Sequence, residues 1–232
     1  MELPFFYAPA LGSAPTLTLD EDTARHITQV LRMQAGERVG VTDGKGAFSE
    51  CTIATASKKT CILIPETIRH QPPPRKQITL AIALLKNKSR MEWFFEKATE
   101  LGVQRFVPLI TQRTERQVFR TDRMQGILIS AMLQSQQYRL PEMCEPVPFS
   151  TFMQEPVEGC RLIAHCNTDD TKVSITRYQQ EARVTMLIGP EGDFTPAEIE
   201  QALAAGYQPV SLGSTRLRTE TAGVAAAAWL CI

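Results

Sequence analysis

The chain has 232 residues, 43% hydrophobic and 22% charged, with 25 lysines and arginines against 25 acids. That length suggests one or two domains with a real core, and zero net charge speaks against a protein that coats nucleic acid indiscriminately. No apolar run nears the ~18 residues of a membrane span, the opening lacks the basic stretch of a signal peptide, and six cysteines without CxxC spacing suit thiols in a reducing cytoplasm rather than a zinc site or disulfide framework.

The first stretch reads mostly as β. A short helix is expected at about residues 21 to 32. "ERVGVTDGKGAFSECTIATA" follows, alternating apolar and polar residues on either side of a glycine-rich turn, which is a hairpin signal, and "TCILI" supplies another strand. These make a small barrel-like module. "QPPPRK", residues 71 to 76, ends it: three prolines form an extended spacer and permit neither helix nor central strand. The domains are therefore set at 1–71 and 75–232.

Beyond the prolines, strands alternate with helices. "ITLAIALLK" is a continuous apolar run of the kind buried on both faces of a parallel sheet. "SRMEWFFEKATELG" reads as a helix with capping-box spacing from Ser89 to Glu92, one apolar face, and Gly102 as its stop. "RFVPLI", a helix over "TDRMQGILISAMLQSQQ", and the short strands "RLIAHC", "VTMLIG" and "YQPVSLG" complete the pattern. The fold class is α/β, an open parallel sheet with helices.

Two loops concentrate the chemistry. After "VTMLIG" comes a tight Pro-Glu-Gly turn, then a helix start with Thr195 at N-cap, Pro196 at N1 and Glu198 at N3. Ligands in open α/β sheets gather at the carboxyl ends of strands. Glu191 and Asp193 would repel an anion there, so a neutral or cationic ligand suits the loop better than a phosphate. A plain tight turn is the competing reading. The second loop, "STRLRTET", leaves the strand "YQPVSLG" at Gly213 and enters an alanine-rich helix at Glu220 and Thr221. Arg218, between Leu217 and Thr219, reads as close to the core and in need of a partner, either Glu220 or a ligand. Gly223 and the alanines permit close approach of another helix.

"LIGPEGDFTPAEIE" and "SLGSTRLRTETAGVAAA", with "RMEWFFEKATELGV" and "RHITQVLRMQAGERVGVTDGKG", resemble the ribosomal small subunit methyltransferase E family, the 16S rRNA (uracil-N3)-methyltransferases of the SPOUT superfamily. The resemblance spans nearly the whole chain. It implies a small N-terminal PUA-like β-barrel domain, a C-terminal SPOUT trefoil-knot methyltransferase domain (a rare exception to the rule against threaded chains), and a homodimer. It also implies S-adenosyl-L-methionine, held mainly by backbone groups at Leu187, Ile188, Gly189, Pro190, Glu191, Gly192, Leu212, Gly213, Leu217 and Arg218. In that reading Arg218 stabilises charge on a uracil carbonyl, with Glu220 orienting it or acting as base and Thr219 or Thr221 assisting. Arg218 bracing the fold through Glu220 is the structural alternative. RNA contacts are assigned to Arg25, His26 and Arg32 on the first module and to Lys86, Lys88, Arg90, Arg113 and Arg116 on the second, as phosphate contacts that position without reading sequence. Any one of these charges alone could be plain solvated surface. His165, at the end of "RLIAH", stands at a strand terminus where it could line the pocket, with a hydrogen-bonded structural histidine as the plainer reading. No metal and no membrane are expected.

The chain departs from the family pattern at three places: Asp193 stands where a second glycine is common, Ser214 where proline often follows the Leu-Gly pair, and Leu133 and Gln134 where a Glu-Gln pair is usual. The competing functions are a SPOUT enzyme acting on another rRNA or tRNA nucleotide, a catalytically silent RNA-binding homologue, and a nucleotide-phosphate enzyme. The last is disfavoured by the acidic loop and by the lack of a Walker-type lysine.

Overall fold

The computed structural model describes residues 3–115, 118–166 and 172–232. The chain divides into two compact units, Met1–Pro73 with Met132–Leu140, and Pro74–Ala131 with Pro141–Ile232.

The first unit is a six-stranded sheet in which β1 (Phe5–Tyr7), β3 (Arg38–Thr42), β4 (Ala47–Ala56), β5 (Cys61–Pro65) and β2 (Leu17–Leu19) are successive neighbours, and β6 (Arg69–His70) pairs with β4. The glycine-rich turn closes an antiparallel hairpin, with Thr42 opposite Phe48. Alternate residues of β4 point inward, and Ala47, Cys51 and Ile53 join Val39, Val41 and Leu63 in one core. The short helix exists in two pieces: α1 (Glu21–Arg25), capped by Asp20 accepting from Thr23 N, runs into a wider π-turn over His26–Val30. Arg32, at φ +57, ends it.

Residues 132–140, assigned from sequence to the second domain, belong to this first unit. The Tyr138 ring stacks on Phe48, 4.9 Å between centroids, and meets Phe5 edge-on. Gly46 donates its N–H to Tyr138 O, and the Arg139 guanidinium donates to Gln71 O at 2.6 Å. Gly46 has φ +106, and a side chain there would run into that guanidinium, so glycine is required on both counts.

The second unit is an all-parallel sheet. Its strands are β7 (Gln77–Ala83), β8 (Arg105–Ile110), β9 (Glu142–Met143), β10 (Val147–Pro148), β11 (Cys160–Ala164), β12 (Val173–Ser174), β13 (Arg183–Ile188) and β14 (Gln208–Ser211). They run in the order β10-β8-β7-β13-β11-β14-β12, with β9 beside β8. Residues 78 and 80–83 of β7 and Val184–Ile188 of β13 are buried, as their unbroken apolar runs require.

The helices are α2 (Lys88–Glu100), α3 (Thr121–Gln134), α4 (Phe149–Phe152), α5 (Pro196–Ala204) and α6 (Thr219–Cys231). Helix α2 starts earlier than the Ser89–Glu92 spacing suggests. Asn87 is the cap, accepting from Arg90 N at 3.3 Å, and Glu92 is turned instead to Arg123. Two residues in this stretch can cap, and the one upstream won. Phe94, Phe95 and Phe106 pack ring against ring at 5.1–5.8 Å and are fully buried, each contributing about 2–3 kcal/mol. Among the described residues no helix is long and apolar enough to cross a membrane.

Candidate active site

Strand order brings the two loops together. Strand β11 lies between β13 and β14, all three parallel, with Ala164 opposite both Ile188 and Val210. Their carboxyl ends therefore open on one edge of the sheet, where loops 189–195 and 212–218 enclose a cavity of about 700 Å³ with the residues after β11 between them. Of the positions assigned to the cofactor, Ile188, Gly189, Pro190, Glu191, Leu212, Gly213, Leu217 and Arg218 form its wall, as does Thr219. Leu187 and Gly192 do not line it. The Leu187 side chain is wholly buried in the core, and the Gly192 carbonyl accepts from Arg113 at 2.6 Å.

The first loop is fastened on every side. Gly189 has its Cα so close to Phe194 that a Cβ would sit 3.1 Å from that residue's backbone nitrogen and ring. Asp193 occupies the left-handed region at φ +64, where a short polar side chain is better tolerated than most. Its two oxygens accept from Cys166 N at 2.8 Å and from Phe194 N at 2.9 Å, tying the loop to the end of β11. Glu191 accepts from Lys86 N at 3.1 Å. The capping box at Thr195 and Glu198 is formed, and buried Glu198 also accepts from Gln112 N at 2.8 Å. The helix start is therefore occupied by the chain's own groups, and the acidic loop offers no anion seat.

The second loop is held far more sparingly. Ser211 Oγ donates to Gly213 O and accepts from Gly213 N. Gly213, at φ +147, and residues 214–216 are exposed. Arg218 is the N-cap of α6 in extended conformation, without a side-chain cap, so the helix begins at Thr219 rather than at Glu220.

The expected partnership of Arg218 and Glu220 is not formed. Arg218 is exposed and makes no ion pair among the described residues, whereas Glu220 is buried and faces Arg90 of α2, Oε1 lying 3.5 Å from Nε. The reason is helical phase: Arg218 precedes the first turn while Glu220 lies inside it, and their side chains diverge. The other Glu220 oxygen, Oε2, has no hydrogen-bond partner among the described residues. Thr219 is buried and Thr221 is exposed away from the cavity wall. Helix α6 can approach α2 because residue 223 is glycine; a Cβ there would overlap the Phe94 ring and press Ile82 at 3.2 Å.

The RNA-assigned residues divide between the two units. In the first, Arg25 is paired with Glu21 and Asp22, His26 is exposed against the edge of Phe6, and Arg32 is exposed. In the second, Lys86 and Lys88 are exposed, Arg113 buttresses the first loop, and Arg90 lines the cavity. The Glu115 carboxylate, hydrogen-bonded to Lys86 at 2.7 Å, holds that ammonium above its usual range. Arg116 lies outside the described residues.

Asp193 and His165, the acid at the loop and the histidine at a strand end, both reach the cavity. Sequence reasoning overlooked Cys166 and Lys172, which line it too, Lys172 donating to His165 O at 2.7 Å. Nothing local marks these two as part of a site; the placement of β11 between the two motif strands does.

Residues 71–231 match the model of an RNA methyltransferase domain, and residues 19–66 that of an RNA methyltransferase PUA domain. The chain is 34% identical over 227 residues to the ribosomal RNA small subunit methyltransferase E of Synechocystis, covering 95% of this chain and 74% of that one. A probable rRNA-methyltransferase from Porphyromonas gingivalis superposes with a TM-score of 0.89 at 41% identity, over 98% of this chain and 96% of the other. A ribosomal RNA small subunit methyltransferase E from Neisseria gonorrhoeae bound to S-adenosyl methionine superposes at 0.82 with 29% identity, over 98% and 96%. With a PUA-like module before a parallel-sheet methyltransferase domain, and two loops closing on one cavity at the sheet's edge, the chain belongs to the ribosomal RNA small subunit methyltransferase E family.

Proposed function

We propose that this protein methylates N3 of a specific uridine in 16S ribosomal RNA, using S-adenosyl-L-methionine, on the free RNA or within the small ribosomal subunit. We also propose that it works as a cytoplasmic homodimer through its second domain, that this domain (75–232) contains the trefoil knot, and that 1–71 is the RNA-binding domain. The observation carrying the reading is the cavity itself: the two motif loops make opposite walls of one space, with an acid-bearing loop on one side and two arginines on the other.

The cavity's chemistry suits the cofactor. About 700 Å³ falls within the range of a small-molecule site. Glu191 carries negative charge to its rim beside a helix start whose Thr195 and Glu198 amides are taken by the capping box, and the backbone at Gly213 is exposed. Leu187, Ile188, Gly189, Pro190, Glu191, Gly192, Leu212, Gly213, Leu217 and Arg218 would hold the cofactor, those off the wall by shaping the loops from behind. When bound, S-adenosylmethionine supplies an electrophilic methyl group on a sulfonium.

The protein's part is to make the acceptor nucleophilic. Uracil N3 bears an imide proton, and losing it spreads negative charge over both flanking carbonyls. Arg218, on the cavity wall and without an ion pair among the described residues, is the guanidinium that meets a carbonyl oxygen as charge grows there. Buried Thr219 sets the start of α6 beside it, and Thr221, on the outer face, acts at most through the helix. Lys86, Lys88 and Arg113, with Arg25, His26, Arg32 and Arg116, supply phosphate contacts.

The test is mass spectrometry of 16S rRNA from cells lacking the protein, with purified protein and cofactor added back to naked RNA and to small subunits. One uridine should lose its N3 methyl group and regain it on incubation. A full complement of methylated uridine in the deficient cells would refute the assignment.

A further inference from the structure

Glu220 is a buried carboxylate held by one long contact. Its side chain is 8% exposed, Oε1 lies 3.5 Å from Arg90 Nε, and Oε2 has no hydrogen-bond partner among the described residues. Burying a charge on such terms is unfavourable, and stability alone gives no reason to keep it. What the arrangement does accomplish is to fix a cation. Arg90 comes from the first turn of α2, lines the cavity, and is 39% exposed. With Nε turned toward Glu220, its two Nη groups keep four N–H donors in a planar fork suited to anionic oxygens. The exposed Lys88 lies two residues before it on the same helix, so positive charge continues from the surface to the cavity wall, while Lys86 is paired with Glu115.

We propose that Glu220 is a positioning residue that sets the Arg90 guanidinium at the cavity wall, and that Arg90 takes an anionic oxygen of the RNA nucleotide entering the cavity. This rests on the RNA methyltransferase reading above and assigns Glu220 a task distinct from serving Arg218 or acting as base. It also separates Arg90 from the lysines beside it: they bind along the RNA, whereas Arg90 acts where the nucleotide turns inward.

The experiment is a double-mutant cycle on the full-length protein, read as kcat and KM for RNA, cofactor affinity by calorimetry, and melting temperature. Glu220→Gln should lower kcat/KM by about tenfold, the size of one charge-assisted hydrogen bond, with cofactor affinity and melting temperature near wild type. Arg90→Ala should lose at least as much, and the double variant no more than Arg90→Ala alone, because Glu220 acts through Arg90. Arg90→Lys should not restore the loss, since an ammonium lacks the fork. With Arg218→Ala, the Glu220→Gln loss should multiply.

Losses that multiply between Glu220→Gln and Arg90→Ala would overturn the proposal. So would a loss confined to cofactor affinity, which would reassign Arg90 to the cofactor. Should Glu220→Gln not fold, Arg90→Ala with wild-type KM and kcat for RNA refutes the contact by itself. A wild-type protein that methylates no RNA would sink the proposed function instead, so the two failures are distinguishable.

Discussion

The two loops that meet at the cavity are built on opposite principles. Residues 189–195 are tied to the end of β11 through Asp193, to α5 through Thr195 and Glu198, and to Arg113 and Lys86 from the far side. Residues 212–218 hang from β14 by a single serine and then run exposed to the start of α6. The first wall is held by the fold's own hydrogen bonds, whereas the second has few to hold it. Any ordering of the second wall by a bound molecule would cost roughly 1–2 kcal/mol per fixed residue. Substitutions in the first loop should therefore appear chiefly as lost stability, and those in the second chiefly as lost ligand affinity.

The largest effect is expected at Glu198. Its carboxylate is buried and accepts from Gln112 N, Thr195 N and Thr195 Oγ1. Glu198→Ala strands those donors and should cost about 3 kcal/mol, seen as a lower urea midpoint with unchanged slope. A cost within 0.5 kcal/mol, roughly that of an ordinary surface change, would mean the first wall is not preformed.

Asp193 tests the same loop more finely. Asp193→Ala removes two hydrogen bonds and leaves a Cβ at φ +64, for about 2 kcal/mol; Asp193→Gly loses the bonds but relieves the backbone, for about 1 kcal/mol. Glycine less damaging than alanine is the diagnostic order, and the reverse would deny that the conformation matters.

Gly213 is the counterpart in the second loop. A Cβ there would touch nothing within 4 Å, but φ +147 is strained for any side chain. Gly213→Ala should cost the free protein about 1 kcal/mol or less, since an exposed loop can relax. Cofactor affinity should fall about fivefold or more as the loop is barred from its bound shape. Equal affinity by calorimetry would break the contrast between the walls.

Much of this was legible in the sequence, and the omissions share a cause. The apolar run of β13, the box at Thr195 and Glu198, and the stop at Gly102 are encoded within a few residues, and each formed where the pattern puts it. Asn87 displaced Ser89 because two caps competed and only tertiary packing chose. The Arg90–Glu220 pair was hidden because neighbours in sequence, Arg218 and Glu220, diverge at a helix start, whereas the true partner arrives from a distant helix through Gly223 and Phe94. Cys166 and Lys172 stayed hidden for a similar reason, since strand order rather than chain order puts β11 between the motifs. Residues 132–140 join the first unit through Tyr138, whose stacking on Phe48 carries no local signal at all.

The smallest effect lies at Tyr207, just before the strand that feeds the sparingly held loop. Glu198, at the other end of α5, has its polar atoms used; Tyr207 is buried in one cluster with Ile199 and Ala202, and its hydroxyl has no hydrogen-bond partner among the described residues. Tyr207→Phe removes an uncompensated polar group and should be neutral or stabilising by up to about 1 kcal/mol. The variant also predicts a pH dependence. Burial pushes the hydroxyl up from 10.0 to about 12, so between those values the unfolded chain loses this proton while the folded chain keeps it. With fewer protons bound when unfolded, stability falls as pH rises through that window. The tyrosine's contribution is intact below pH 10 and lost on passing 12, and phenylalanine cannot show it. Between roughly pH 10 and pH 11, the lower half of that window, wild type should therefore lose more stability than Tyr207→Phe. Parallel losses would place the hydroxyl in contact with water and remove the contrast between the two ends of α5.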